Sequence, residues 1–294
     1  NRSEFISNAI ETILAQSFKN WELIIVNDGS TDNTDEIINS FKDERIKSFS
    51  HSYNQGQPAA RKTGIKNSKG DFIAFLDDDD TWEINKLEKQ VNILDTKQGV
   101  DVVICNFIEV RDNKEILHSL RQYHGYCLKE ILIQPKPVFL CFLIRKKIVN
   151  NLNEFFDDKL ITSHEWDLMI NLAINKHKFY NVNQYLVTWN VHEKSISQNI
   201  KKEAEGLSYI IKKHHKLMEK TIGKNNLGKH YLRIGYLYEI AKSWNKAENC
   251  YFKAFLIDSF RIKNIIFMIF CVLGLKKTSK VLNLIRKIKL ANNV

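Results

Sequence analysis

The chain has 294 residues, 44% hydrophobic and 27% charged, which is enough apolar content to bury a core and excludes a disordered segment. Its five cysteines (Cys105, Cys127, Cys141, Cys250 and Cys271) are scattered, odd in number and free of any Cys-x-x-Cys pair, a pattern that argues against a disulfide framework or a zinc site. The net charge of +10 is uneven: residues 1–100 carry 12 basic and 17 acidic side chains, residues 101–200 carry 12 and 11, and residues 201–294 carry 20 and 6.

Ser3 is placed to cap a helix in which Phe5, Ile6, Ala9, Ile10, Ile13 and Leu14 recur at helical spacing, and Trp21–Val26 then reads as a buried strand. "NDGSTDNT" is a turn and helix cap, a second helix uses Ile37, Ile38 and Phe41, and Ile46–Phe49 is a short strand. "NQGQP" is a loop, Ala59–Ser68 is helical, and the strand "DFIAFL" runs into the acidic quartet Asp77–Asp80. Connections of ten or more residues between strands imply right-handed crossovers and a mostly parallel sheet. Ligands of such a sheet bind beyond the carboxyl ends of its strands, where "NDGS" and "DDDD" both stand.

Downstream come a helix at Lys86–Leu94, a β-rich run at Val100–Val110, a strand at Pro137–Ile144, a helix over 164–175 and the strand-like "FYNVNQYLVTWNVH". Past residue 200 strand signals vanish, so residues 1–199 read as an α/β domain and 200–294 as a helical, basic extension. Leu232, Gly235, Tyr238, Ala247, Tyr251, Ala254 and Phe255 fall at the offsets of one tetratricopeptide-like helix pair, but a stable solenoid needs about three repeats, so an amphipathic hairpin packed on the main domain is the preferred reading. The eleven-residue apolar run Ile265–Leu275 is too short to span a bilayer. With the basic residues after it, it reads as an interfacial helix or a buried one.

Four adjacent carboxylates cannot enter a packed core un-neutralised, so the quartet is either a solvated turn or a cation site. A hard divalent ion takes oxygen ligands, commonly one or two carboxylates plus substrate phosphates. Asp28, ending the preceding strand, supplies a second carboxylate beside it.

The segments "ILAQSFKNWELIIVNDGSTDNT", "NQGQPAARKTGIKNSKGDFIAFLDDDD", "FDDKLITSHEWDLMINLA" and "LVTWNVHEKSISQN" span about residues 3 to 199. Together they resemble the inverting, nucleotide-sugar-dependent glycosyltransferases of family 2, which have the GT-A fold. The resemblance implies a Rossmann-like, mostly parallel sheet flanked by helices, with a C-terminal all-helical extension. It implies that Asp28 meets the nucleotide base, that Arg61, Asp77 and Asp78 bind the nucleotide side of the donor, and that Asp79 ligates Mn²⁺ or Mg²⁺. In "HEWDL", Glu165 stands where the family's catalytic aspartate is common and would be the general base, with His164 replacing the preceding acid. His192 in "WNVHEKSIS" matches a histidine that helps hold metal and diphosphate, although Asn190 replaces a common arginine.

These matches predict a metal-dependent enzyme moving a sugar from a nucleoside-diphosphate donor, UDP-linked by expectation, onto a glycan or polyprenyl-linked acceptor in surface polysaccharide synthesis. The alternative is a non-catalytic nucleotide-binding protein with a helical partner-binding tail; nucleic-acid binding has only the tail charge in its favour. The expected setting is reducing and cytoplasmic, with the basic tail in peripheral contact with the membrane's inner face. The start at Asn1, without methionine or leader, predicts an N-terminally shortened chain lacking the family's first central strand.

Overall fold

The computed structural model describes residues 1–134, 139–149, 156–157, 159–160, 162–192, 199–258 and 274. The chain divides into two compact units, Asn1–Lys159 with His164–Lys194, and Leu160–Ser163 with Ser195–Val294.

In the first unit, β1 (Leu23–Asn27) and β2 (Ile46–Ser50) pair in parallel from Leu23↔Ile46 to Asn27↔Ser50, with α2 (Thr34–Ser40) as the crossover. The helical spacing of α1 (Ile6–Leu14) turns Ile6, Ala9, Ile10 and Ile13 inward. Ile6 and Ile10 meet Ile38 of α2, and Leu23, Ile25 and Ile46 pack against them. Each such isoleucine contributes about 1.5–3 kcal/mol when fully buried. Ser3 does not cap α1: the helix starts after Phe5 with no side-chain cap, and the Ser3 amide donates to Asp32 Oδ2 at 3.2 Å. The Arg2 carbonyl takes the Phe5 and Ile6 amides instead, so the turn at Asp32 holds this stretch in a conformation that a serine cap cannot use.

A second sheet holds β3 (Phe72–Ala74), β4 (Thr81–Trp82), β5 (Val102–Arg111), β6 (Lys114–His118), β7 (Leu143–Arg145) and β8 (Phe179–Val191). Its order is β3-β7-β5-β8-β4, with β6 on β5. The expected α/β class holds, but the pairing is mixed rather than mostly parallel. β1–β2 and β5–β8 are parallel, whereas β3–β7, β5–β7, β4–β8 and β5–β6 are antiparallel. Strand direction is set by the connection, which apolar patterning does not encode. Asp112 (φ 51°) and Asn113 (φ 58°) form a two-residue turn between β5 and β6, which joins only antiparallel neighbours.

The strand expected at Pro137–Ile144 is also corrected. Residues 139–141 form a 3₁₀ turn and only β7 follows as strand, while 137 and 138 lie outside the described residues. Phe139, Leu140, Cys141 and Phe142 are all buried, and a run buried on every side has no period that separates strand from helix.

Flanking helices are α3 (Gln57–Asn67), α4 (Lys86–Thr96), α5 (Leu128–Ile133) and α6 (His164–Ile174). Buried Gln16 joins the end of α1 to α4: its Nε2 donates to the Glu83 carbonyl at 2.9 Å and its Oε1 accepts the Leu87 amide at 3.1 Å. The segment after the acidic quartet is thereby held against α1.

The second unit contains α7 (Ile200–Ile240), broken at Gly223 (φ 74°, ψ 167°), and α8 (Trp244–Ile257). Gly235 lets α7 approach the Tyr251 ring, which a Cβ would strike, and the buried Tyr251 hydroxyl donates to Glu239 Oε2 at 2.8 Å. Among the described residues no helix is long and apolar enough to cross a membrane. The run Ile265–Leu275 (Gly274 apart) and the basic residues after it lie outside the described residues. Cys105, Cys127, Cys141 and Cys250 are buried thiols with no disulfide among them.

Candidate active site

Asp28 follows the last residue of β1, and the chain must turn sharply there. Gly29 does so with φ +73°, and a Cβ at that position would stand 2.6 Å from the Tyr53 carbonyl carbon, so glycine is required twice over. The Asp28 carboxylate accepts the Gln55 amide at 2.9 Å and the Gly56 amide at 2.7 Å, and it meets His51 Nδ1 at 2.7 Å. Burial pushes Asp28 up, but the bonds from Gln55, His51 and Gly56 outweigh it and hold the carboxyl below its usual range. His51 continues through Nε2 to Thr63 Oγ1 at 2.9 Å. Asp28 thus clasps the loop between β2 and α3. The β1–β2 register, which ends at Asn27↔Ser50, is what sets His51 beside it.

Two residues before Thr63 on α3, Arg61 donates through Nη2 to Asp77 Oδ1 at 2.8 Å and stacks over the Phe139 ring at 4.0 Å. Phe139 belongs to the apolar segment corrected above, so that segment serves the site by fixing the guanidinium plane.

The acidic quartet joins β3 to β4. Because β4 pairs with β8 in the register Thr81↔Thr188 and Trp82↔Val187, the loop before β4 runs beside the end of β8. Asn190 stitches the two: its backbone amide donates to Asp80 Oδ1 and its side-chain amide to the Asp79 carbonyl, both at 2.8 Å. Asp80 is only 2% exposed, and burial, reinforced by Asp77 and Asp79, pushes its carboxyl up to about 9 against the opposing Asn190 bond. Burial likewise raises Asp78 to about 6, with Asp79 and Asp77 adding to the rise and Arg2 opposing it. A cation bound beside Asp79 would relieve both.

His192 lies just past β8, stacked on Phe5 with centroids 4.6 Å apart and 16° between planes. Its Nε2 is 2.9 Å from Asp79 Oδ2. Arg2 Nη1 reaches the same oxygen at 3.2 Å, while Arg2 Nε is 3.6 Å from Asp78 Oδ2. Among the described residues no three His, Cys, Asp or Glu side chains form a metal-binding group by themselves. A carboxylate and an imidazole in contact, with the remaining positions left to diphosphate oxygens and water, nevertheless fit the donor set of a Mn²⁺ or Mg²⁺ ion held jointly by protein and substrate.

Glu165 occupies the first turn of α6, half-buried. The helix is anchored by Trp166, whose buried Nε1 donates to the Ile131 carbonyl at 2.8 Å, and it is entered through Ser163 at φ 62°. His164 is buried.

The structure therefore brings Arg61, Asp77, Asp78, Asp79 and His192 into one contact network, with Asp28 tied to the same helix α3 through His51 and Thr63. Sequence reasoning missed Arg2 and His51. The paired strands β1 and β2 carried a signal for His51, since parallel pairing in register aligns the residues that follow both strands. Arg2 carried a signal only through the resemblance, which sets Asn1 and Arg2 at the end of a turn belonging to the nucleotide pocket; nothing local links residue 2 to residue 79.

Residues 1–161 match the family model described as glycosyl transferase family 2. The chain belongs to this family. Among curated members, WfaP of Escherichia coli, a UDP-Glc:alpha-D-GlcNAc-diphosphoundecaprenol beta-1,3-glucosyltransferase, is 31% identical over 226 residues, covering 74% of this chain and 86% of that protein. WfgD of Escherichia coli, with the same named activity, is 39% identical over 117 residues, covering 40% of this chain and 46% of WfgD. The chain spans between 46% and 62% of the length of three of the curated relatives it matches. The mannosyltransferase PcManGT of Pyrobaculum calidifontis, solved with GDP-Man and Mn²⁺, superposes with a TM-score of 0.64 at 14% identity over 97% of this chain and 78% of that one. This likeness establishes the family 2 chain as a GT-A fold.

Proposed function

We propose that the chain is a divalent-metal-dependent, inverting glycosyltransferase that takes a sugar from a UDP-linked donor and places it on a polyprenyl-diphosphate-linked or glycan acceptor in surface polysaccharide assembly. The observation that carries this reading is the contact between Asp79 Oδ2 and His192 Nε2 at 2.9 Å, a carboxylate and an imidazole brought together at a strand end. The donor and acceptor classes are supported by the named activities of WfaP and WfgD, and the metal by the Mn²⁺ bound to PcManGT.

In this reading Asp28 and its clasped loop form the base side of the donor pocket, and Arg61, fixed by Asp77 and Phe139, orients the acidic loop toward the nucleotide. Asp79 and His192 hold the cation, which when bound neutralises charge on the departing diphosphate. Glu165 accepts the proton of the acceptor hydroxyl as that oxygen bonds to the anomeric carbon and the carbon–diphosphate bond breaks on the opposite face. Residues 1–199 are the catalytic domain and 200–294 an extension that holds the enzyme near a cytoplasmic membrane face.

The test is calorimetric titration of UDP with and without Mn²⁺, on the wild type and Asp79→Ala, followed by turnover assays of Glu165→Gln with UDP-sugars. Metal-dependent binding lost in Asp79→Ala, with Glu165→Gln binding UDP normally but losing at least about 100-fold in kcat, supports the reading. UDP binding that ignores both Mn²⁺ and Asp79 overturns it. Turnover intact in Glu165→Gln removes Glu165 as the base.

A further inference from the structure

Arg2 lies across the acidic loop from a fixed root. Its backbone amide donates to Thr34 Oγ1 at 3.1 Å, and its carbonyl accepts the Phe5 and Ile6 amides at 3.0 and 3.1 Å. From there the guanidinium reaches Asp79 Oδ2 at 3.2 Å, His192 Nε2 at 3.4 Å and Asp78 Oδ2 at 3.6 Å. The Asp79 oxygen that Arg2 holds is thus the same oxygen that meets His192. A divalent ion taken up by this oxygen would compete with Arg2 for it, since two cations on one oxygen repel each other.

Resting on the reading of Asp79 and His192 as the metal-holding pair, we infer that Arg2 is an exchangeable counter-cation that couples metal uptake to the grip on the donor diphosphate. In the metal-free protein Arg2 neutralises Asp78 and Asp79, whose mutual repulsion would otherwise strain the loop. For Asp79 to ligate an ion through Oδ2 beside His192, Arg2 would have to release that oxygen. The freed fork would then be available to the donor's phosphates, whose oxygens its planar donors match. A bound diphosphate also places negative charge between the two cations and removes their repulsion. Arg2 therefore opposes metal binding in the absence of nucleotide and favours nucleotide binding in the presence of metal.

The opposite signs are the signature. The full chain is compared with Arg2→Gln and Arg2→Lys, measuring free Mn²⁺ by electron paramagnetic resonance without nucleotide, and UDP affinity by calorimetry in saturating Mn²⁺. In Arg2→Gln, Mn²⁺ alone is expected to bind about 10-fold tighter and UDP about 10-fold more weakly, whereas loss of a purely structural contact would weaken both. Arg2→Lys keeps the charge and loses the fork, so its Mn²⁺ affinity stays near wild type while UDP still weakens; this carries the test if the glutamine variant folds poorly. Unchanged or weaker Mn²⁺ binding in a folded Arg2→Gln overturns the inference. Asp79→Asn separates the two levels: if it abolishes Mn²⁺ binding while Arg2→Gln leaves it unaltered, Arg2 alone is misread, and if wild type and Asp79→Asn both fail to bind Mn²⁺, the metal site falls and the inference with it.

Discussion

The Asn190 backbone amide donates to the carboxyl of Asp80, 110 residues earlier, and together with the Asn190 side-chain bond to the Asp79 carbonyl it ties the acidic loop to the strand that delivers His192. Asp80 is almost fully buried and its bond needs only a neutral acceptor, so asparagine can replace it while alanine cannot. Asp80→Ala should cost about 1–3 kcal/mol in denaturant unfolding, by leaving the part-buried Asn190 amide unsatisfied, while Asp80→Asn stays within about 1 kcal/mol of wild type. Equal losses in the two variants would show that the bond is not what holds the loop.

Asp79 and His192 act on one ion in the proposed site, so their substitutions should not add. Each of Asp79→Ala and His192→Ala is expected to lower Mn²⁺-dependent UDP affinity by about 10–100-fold, and the double variant by little more than Asp79→Ala. Additive losses in a calorimetric double-mutant cycle would assign the two residues to separate tasks.

Gly29→Ala forces a side chain into a φ of +73° and against the backbone at Tyr53 and Asn54. The expected cost is about 1–3 kcal/mol of stability. The displaced loop carries the Gln55 and Gly56 amides away from Asp28, so UDP affinity should fall even where the variant remains folded. Calorimetry on the folded fraction checks this, and normal affinity would dissociate the clasp from the nucleotide pocket.

Lys86 is fully buried, with Nζ donating to Gln90 Oε1 at 2.7 Å and standing 3.9 Å from the Trp82 ring centroid. Burial pushes it down to about 8, against the opposing influence of Cys105 and Cys141. The unfolded lysine titrates near about 10.4, so between these values the unfolded state binds more protons and stability rises with pH. The penalty, about 3 kcal/mol, is fully present below pH 8 and is relieved toward pH 10.5. Lys86→Met should flatten that slope and, after loss of the Gln90 bond, stabilise the protein by about 1 kcal/mol at pH 7. Chemical denaturation at pH 7, 8 and 9.5 measures both effects; a slope unchanged by the substitution would place its origin elsewhere.

What the sequence determined by itself was local. The spacing of Ile6, Ile10 and Ile13 specifies an amphipathic helix, "WELIIV" and "DFIAFL" mark strands within a few residues of their observed ends, and both lead into acidic turns because polar backbone must emerge at a strand terminus. Those signals repeat with helix or strand period and are legible wherever one face of an element is buried. Only the tertiary structure decided strand direction, the collapse of Phe139–Cys141 into a 3₁₀ turn, and the partners of the site residues. Asp79 finds His192 and Asp80 finds Asn190 because β4 pairs with β8 in one register, and a slip of one residue would turn each side chain to the other face. Arg2 reaches Asp79 because the turn at Asp32 and Thr34, rather than Ser3, sets the start of α1. Such contacts join residues separated by 77 to 113 positions. They depend on how elements pack against one another, which no local period records.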